Sequence, residues 1–555
     1  MKESRGFSVG LLLLTGFASL LMGTSLWYTW RIGWYPQSAD WKGPAVHLIQ
    51  EGDGFSIAVL TLVTFTCLLA LVKGLGSLPD GKISWKSASF TDPPFSFIVL
   101  VLMAAWFPFF LAFFPGTGMN DTTDILRAEF WAAGQHTLLY CLFLGGLGEI
   151  SKTLTGNWAA GLAAASIVQM YLLAAAIAYV VTWLYRRSGS AALAALFTGY
   201  YAFCPMIVNY SFANVKDTLF SAAVLLWVPL IYELLTEGEE AFPRMERIFI
   251  IASLGMLLLR NNGRYVYAVL LFLFLLTFRR IRWKAASLGA ILFVLSLLPN
   301  AALSYFMDLP QLFQERVGVP IQQVGRVVAA RRPLLPEEKQ YLYTMMEPEE
   351  MRYWYDPFTA DGIKWNRNFH FDSFNSHPDA FWQTWKSLGK RYPKDFLEAW
   401  MLAVYGYWSF PAPDGKTQSR FGWAFSMKDL NAPWGMDPAS NNAYQTGTMI
   451  HVYSPETQEK LGRYLWDHSR YAGAGTCFWI TVILALVLLY RRRGKMLLIL
   501  MPAFLLWGTL LLAAPAAFVF RYVFYFPLCL PFFLLLPYLP YQKVRKDKSW
   551  HILRS

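Results

Sequence analysis

The chain has 555 residues, of which 55% are hydrophobic, 17% aromatic and only 15% charged. That apolar load exceeds what a soluble core can bury, so lipid is the solvent for much of the chain and a soluble globular enzyme is excluded. The net charge of +12 needs no nucleic acid to explain it, because the basic residues fall on alternate loops between apolar runs.

Apolar runs of about 18 to 22 residues recur near 9–30, 55–77, 95–114, 159–184, 190–208, 216–235, 285–304, 473–490, 496–514 and 518–539. Each is long enough to cross about 30 Å of hydrocarbon as a helix. The first follows Lys2 and Arg5 and extends to Trp30 without a clear cleavage site, which reads as an uncleaved signal anchor. Two shorter runs, 247–260 and 264–278, flank Arg260-Asn261-Asn262-Gly263-Arg264 and are expected as two short helices meeting at one face. The total is about twelve helices.

Lys82 and Lys86, Arg186 and Arg187, the run Arg279 to Lys284, Arg491 to Lys495 and the tail from Lys543 all fall on the side of Lys2. By the positive-inside rule that side is cytoplasmic, with both termini there and the basic residues facing anionic headgroups. The fold expected is an α-helical polytopic membrane protein. A membrane domain 1–305 carries a large outer loop at 115–158, followed by a mainly helical extracytoplasmic domain 306–471. The last three membrane helices, 472–540, and a basic cytoplasmic tail, 541–555, follow. Leu138 to Leu147 is too short to span and is expected as a re-entrant or interfacial helix.

Candidate chemistry clusters at the outer helix ends. Pro115-Gly116-Thr117-Gly118-Met119-Asn120-Asp121-Thr122-Thr123-Asp124 carries two carboxylates three residues apart, on one face if a helix begins there. An N-cap role for either acid fits the spacing equally well. Lys216-Asp217 opens the sixth long run, where the two residues could equally pair with each other or cap the helix. Arg260 and Arg264 stand at the short-helix tip, and Arg521-Tyr522 just inside the last run. Charges at such depth cost about 2.5 to 3.5 kcal/mol at the bilayer centre on insertion scales and are retained for a partner. Several cations around an acid make that partner an anion.

One carboxylate, several cations and a membrane suit transfer of a sugar from a polyprenyl phosphate. The carboxylate takes the acceptor hydroxyl's proton, and the cations stabilise the departing phosphate. Asp121, Asp124 and Asp217 are the catalytic candidates; Lys216, Arg260, Arg264 and Arg521 are the phosphate-binding candidates.

The ordered set of motifs resembles the GT-C superfamily of membrane glycosyltransferases, in an uncharacterised bacterial branch, over nearly the whole chain. It comprises Phe114-Pro115-Gly116 with Asp121, His136-Thr137, Val215-Lys216-Asp217-Thr218-Leu219-Phe220, Arg260-Asn261-Asn262-Gly263, Pro320 to Arg326, Tyr355-Asp356-Pro357 with Asp361 and Lys364, and Arg521-Tyr522. The resemblance implies a GT-C-like fold, an essential acid in the first large outer loop, with Asp121 the first choice and Asp124 the second, and a location in the bacterial inner membrane. It departs from the pattern after His136, where Thr137 stands in place of proline. His136, Asn261, Asn262, Gln322, Gln323, Arg326 and Tyr522 are candidate substrate contacts, the glutamine pair as a wall of the cavity. The donor expected is a polyprenyl-phosphate sugar, and the acceptor an envelope glycan or glycoconjugate.

No cofactor is required, although paired oxygens at Asp121 and Asp124 would suit magnesium or manganese. His370, His377, His451 and His468 have no ligand spacing, and no zinc is expected. The tryptophans of 354–466 suit sugar faces, but large aromatics at such spacings more often fill a core. Two alternatives stay open, a flippase or transporter of lipid-linked precursors and a non-enzymatic envelope assembly protein. Charges kept at helix ends and the lack of matched halves speak against transport.

Overall fold

The computed structural model describes residues 6–34, 47–80, 95–118, 120–127, 136–306, 313–410, 450–469, 473–513, 516–517 and 519–540. The expected terminal basic segments, Lys82 and Lys86, and Trp423 and Trp434 lie outside them.

The described residues are almost all helical, joined by turns and three isolated bridges. Among the described residues, seven helices are long and apolar enough to cross a membrane: Val9–Ile32, Asp53–Ser77, Phe95–Ala112, Ala159–Ser188, Lys216–Thr236, Arg282–Pro299 and Gly494–Ala513. A bent pair, Ala191–Phe203 with Pro205–Ser211, makes up to eight, and Ala474–Tyr490 and Phe520–Leu535 are shorter apolar helices.

Lys216–Thr236 is the centre of the bundle, with 94% of its apolar window buried, against 17% for Asp53–Ser77. It packs on Ala159–Ser188, Phe242–Leu259, Leu497–Ala513 and Tyr525–Leu535. Trp227 from its middle meets Phe249, Tyr267 and Phe274, so aromatic packing ties three successive helices together.

Three breaks position the site. The run expected as one helix over 190–208 is bent by 62° at Cys204. Pro205 has no N–H to continue the ladder and drives Cys204 to an extended φ/ψ of −66°/115°. The tip between Phe242–Leu259 and Asn261–Thr277 turns at Arg260, also extended at −142°/138°. Gly263 permits the tightness, since a Cβ there would stand 2.1 Å from the Met256 carbonyl oxygen. The last run, expected as one helix, opens with a 3₁₀ turn, Phe520–Val523, before Tyr525–Leu535.

The expected re-entrant stretch is a short helix Leu138–Tyr140, a π-helical turn Cys141–Gly145 and a helix Gly146–Thr155. Gly146–Thr155 lies against Ala159–Ser188.

Helices between Gly318 and Arg391 have their own core of Val317, Ile321, Val324, Phe369, Phe374 and Phe381. Trp382 and Trp385 pack on that core, and the Trp400 and Trp408 indoles donate to the carbonyls of Leu511 and Met401. These four are packing residues, whereas Trp354 and Trp365 are exposed. At the opposite end of the bundle from Lys216, Arg491 and Arg493 grip Asp80 and the carbonyls of Gly76, Leu78, Pro537 and Leu539. These two arginines are therefore internal staples rather than headgroup contacts.

Candidate functional site

Two connecting segments, 115–118 and 212–215, are stitched together where the bundle leaves them no water. The Asn214 amide donates to the Thr117 carbonyl at 2.8 Å, the Thr117 amide to Phe212 at 3.3 Å, and the Thr122 hydroxyl to Asn214 at 2.7 Å. From inside Ala159–Ser188, Ser166 Oγ lies 3.1 and 3.2 Å from the carbonyls of Pro115 and Phe212, and Gln169 Nε2 donates to Ala213 at 2.6 Å. Buried backbone groups must find such partners, so two mid-helix polar residues dictate the path of both loops. Gly116, at φ +113°, is required there because a Cβ would stand 2.1 Å from Ser166 Oγ.

The strap sets the helix Asn120–Arg127 beside the start of Lys216–Thr236. Asp121 then lies between two cations. Lys216 Nζ donates to Oδ2 at 3.0 Å, and Arg521 approaches as a fork, with Nη2 3.1 Å from Oδ1 and Nη1 3.0 Å from Oδ2. Asp217 forms a second couple behind it, with Arg260 Nη1 2.7 Å from Oδ1 and Arg521 Nε 4.0 Å from Oδ2. The Tyr522 ring lies under both guanidiniums, 4.6 Å from Arg260 and 5.1 Å from Arg521. The side chains of Asp121, Lys216, Arg521 and Arg260 keep 17, 14, 12 and 11% exposure, against 1% for Asp217. The first four are therefore partly exposed, while Asp217 is a buried counter-charge.

His136 closes the cluster, its Nδ1 2.9 Å from Lys216 Nζ. Burial first, then the neighbouring ammonium, push this imidazole down to about 3, so it is neutral and accepts the lysine proton at Nδ1. Its 3.8 Å approach to Asp121 is accordingly not an ion pair. Burial is the largest influence on the Asp121 carboxyl and raises it, but Arg521 and Lys216 together override it and hold the group well below the usual carboxylate range. Among the described residues, His136 Nε2, Tyr140 Oη, Arg521 Nε, Asn214 Oδ1 and Thr117 Oγ1 are buried without a hydrogen-bond partner, and buried groups left unpaired are costly.

The other sequence-derived candidates divide. Arg264 turns away from Asp121 and donates to the carbonyls of Leu257 and Ser296, both at 3.3 Å, so it is a helix-end clamp. Asn262 donates to Thr509 Oγ1 and Asn261 is exposed. Gln322, buried, donates to the Asp356 carbonyl, while half-buried Gln323 donates to Phe396 and accepts from Trp385. Arg326, 1% exposed, pairs with buried Glu398 at 3.0 Å. The Asp124 side chain lies outside the described residues. Both Asp121 oxygens serve Arg521 and Lys216, so a divalent ion at that carboxylate would have to displace a cation.

Sequence reasoning missed the residues that connect the smaller core to Arg521. The Asp356 carboxylate accepts from the Phe358 amide, the Phe358 carbonyl accepts from Ala517, and Tyr407 Oη donates to Ala516. That chain holds the strand-like approach to the turn bearing Arg521, and it gives the Tyr355-Asp356-Pro357 motif a mechanical role. His47, Asp395 and Glu398 were also missed; their ligand atoms lie within 4.8 Å of one another. Arg332 and Arg326 already neutralise the two carboxylates, which makes this a clasp between 47–49 and the smaller core.

The fold is that of a helical, multi-pass membrane protein, with a cluster of paired acids and cations at one end of its bundle. The chain belongs to the family of unknown function DUF6020, which it matches over residues 129–549. That match takes in His136, Lys216, Asp217, Arg260 and Arg521 and begins after Asp121. Among solved structures, the crystal structure of ArnT from Cupriavidus metallidurans bound to undecaprenyl phosphate is similar at 12% identity and a TM-score of 0.31, over 79% of this chain and 77% of that one. No curated protein matches.

Proposed function

We propose that this protein is a membrane glycosyltransferase of GT-C type. It moves a sugar from a polyprenyl-phosphate donor to an extracytoplasmic acceptor of the cell envelope, an envelope glycan or glycoconjugate. The observation that carries the reading is Asp121 bracketed by Lys216 and Arg521, with Arg260 alongside, at a partly open bundle end. In the topology that accompanies it, about twelve helices span the inner membrane, both termini are cytoplasmic, and the domain 306–471 lies outside with Asp121.

In this mechanism Asp121 takes the proton of the acceptor hydroxyl as that oxygen bonds to the anomeric carbon. The bond from that carbon to the phosphate oxygen breaks, and the electron pair leaves with the polyprenyl phosphate. Lys216, Arg521 and Arg260 meet the charge that develops on the phosphate. A carboxylate so strongly paired is a weak base at rest. The donor phosphate competes for the same cations, and as they turn to it the Asp121 carboxyl regains basicity. The anionic substrate thus arms the base that the acceptor needs.

The test is transfer by purified protein in lipid nanodiscs from a set of polyprenyl-phosphate sugars, with Asp121→Asn beside wild type. Turnover falling by roughly 10² or more with the fold intact is expected. Loss in Asp124→Asn or Asp217→Asn alone would move the base to that residue. Absence of transfer from every donor would return the protein to the transport or assembly readings.

A further inference from the structure

Arg260 and Arg521 carry like charges and converge on one side chain. The Arg260 carbon lies 4.6 Å from the Tyr522 ring centre and 5.5 Å from Phe220, and that of Arg521 lies 5.1 Å from Tyr522. A guanidinium stacked on an aromatic face spends its face and keeps its N–H edge free. Arg521 donates from Nη2 to Asp121, while its Nη1, close to Asp121, and its Nε, 4.0 Å from Asp217, make no hydrogen bond among the described residues; Arg260 has one edge nitrogen, Nη1, on Asp217 at 2.7 Å. The Tyr522 hydroxyl contributes little, its contact to Arg521 Nη2 being a long 3.4 Å.

We propose that Tyr522 is a positioning residue whose ring is a shared platform, fixing Arg260 and Arg521 so that their edges face two oxygens of a single phosphate. The role in sugar transfer rests on the function proposed above; the platform itself does not. The ring sits in the 3₁₀ turn Phe520–Val523, which the smaller core reaches through Phe358 and Ala517. It therefore also sets where the phosphate lies relative to that core. This reassigns Tyr522 from substrate contact to the support of two substrate contacts.

Two measurements test it. Undecaprenyl phosphate is titrated into nanodiscs holding wild type, Tyr522→Phe and Tyr522→Leu. The ring without the hydroxyl should bind within about twofold of wild type, and the aliphatic variant should lose about tenfold, the scale of a desolvated cation–π contact. Equal loss in both variants would assign the hydroxyl as the contact and overturn the platform, as would no loss in Tyr522→Leu. The second measurement is independent of function: melting temperatures of Tyr522→Leu, Arg260→Met, Arg521→Met and the two double variants. Non-additive shifts for Tyr522 with each arginine are expected, and additivity with both overturns the platform. If coupling is found while wild type fails to bind the lipid, the platform stands and the proposed function falls.

Discussion

Asp121→Asn keeps the side chain's volume and removes one negative charge, and the geometry gives that change two opposite effects. Turnover loses its proton acceptor and should fall by roughly 10² or more. Donor binding should tighten, because the carboxylate is the present occupant of the cations that the phosphate needs. Lys216 and Arg521 hold it at 3.0 to 3.1 Å, and a phosphate has to win those contacts away. Hydrogen bonds to charged groups contribute about 1.5 to 3 kcal/mol when buried. These side chains keep 12 to 17% exposure, so about 1 kcal/mol is the realistic competition, equivalent to about fivefold tighter binding. Equilibrium binding of undecaprenyl phosphate in nanodiscs, paired with single-turnover transfer, measures both effects on one preparation. Binding weakened tenfold in Asp121→Asn would refute the reasoning, since it would show that the carboxylate organises the cations rather than competing for them.

Lowering pH separates two buried groups by their windows. His136 is held neutral down to about 3, so below 6.5 the unfolded chain binds a proton that the fold refuses, and stability falls by at most about 1.4 kcal/mol per pH unit. His136→Gln should flatten that slope in melting temperature between pH 6.5 and about 4.5, and an unchanged slope would show that His136 is not its source. The depressed Asp121 carboxyl contributes stability that is complete above about pH 4 and is lost only as pH falls through its lower folded value; Asp121→Asn should remove that acid limb of the melting profile. Arg264→Met should lower the melting temperature while leaving undecaprenyl phosphate affinity within about twofold, in contrast to Lys216→Met, which should weaken binding about tenfold. Gln322→Ala removes one donor to the Asp356 carbonyl, and about 1 kcal/mol of stability should go with it, read by melting.

The spans were legible because apolar length is a local property: the runs near 55–77, 159–184 and 216–235 match helices to within a few residues. Local too was the rule that a charge at a helix end keeps a partner, and it singled out Asp121, Lys216, Asp217, Arg260 and Arg521 before any contact was known. The partner's identity is not local. Asp121 and Arg521 are 400 residues apart: the strap through Ser166 and Gln169, two polar residues inside a membrane helix, sets Asp121 beside Lys216, and the Ala517-to-Phe358 hydrogen bond anchors the chain near Arg521. Ser166 and Gln169 could have been noticed, since a buried amide in a membrane helix needs a partner as much as a charge does. Arg264 shows why the rule overreaches. The last carbonyls before the break at Arg260 have no intrahelical donor, and one of them, that of Leu257, accepts from Arg264 Nε, while Arg264 Nη2 donates to the Ser296 carbonyl of the following helix. A cation near a broken helix thus has two candidate partners, a ligand or the break itself, and only the direction of the side chain separates them. Arg260 stacks across Tyr522 and Phe220 beside Asp217, whereas Arg264 bridges to the two flanking helices at the Leu257 and Ser296 carbonyls.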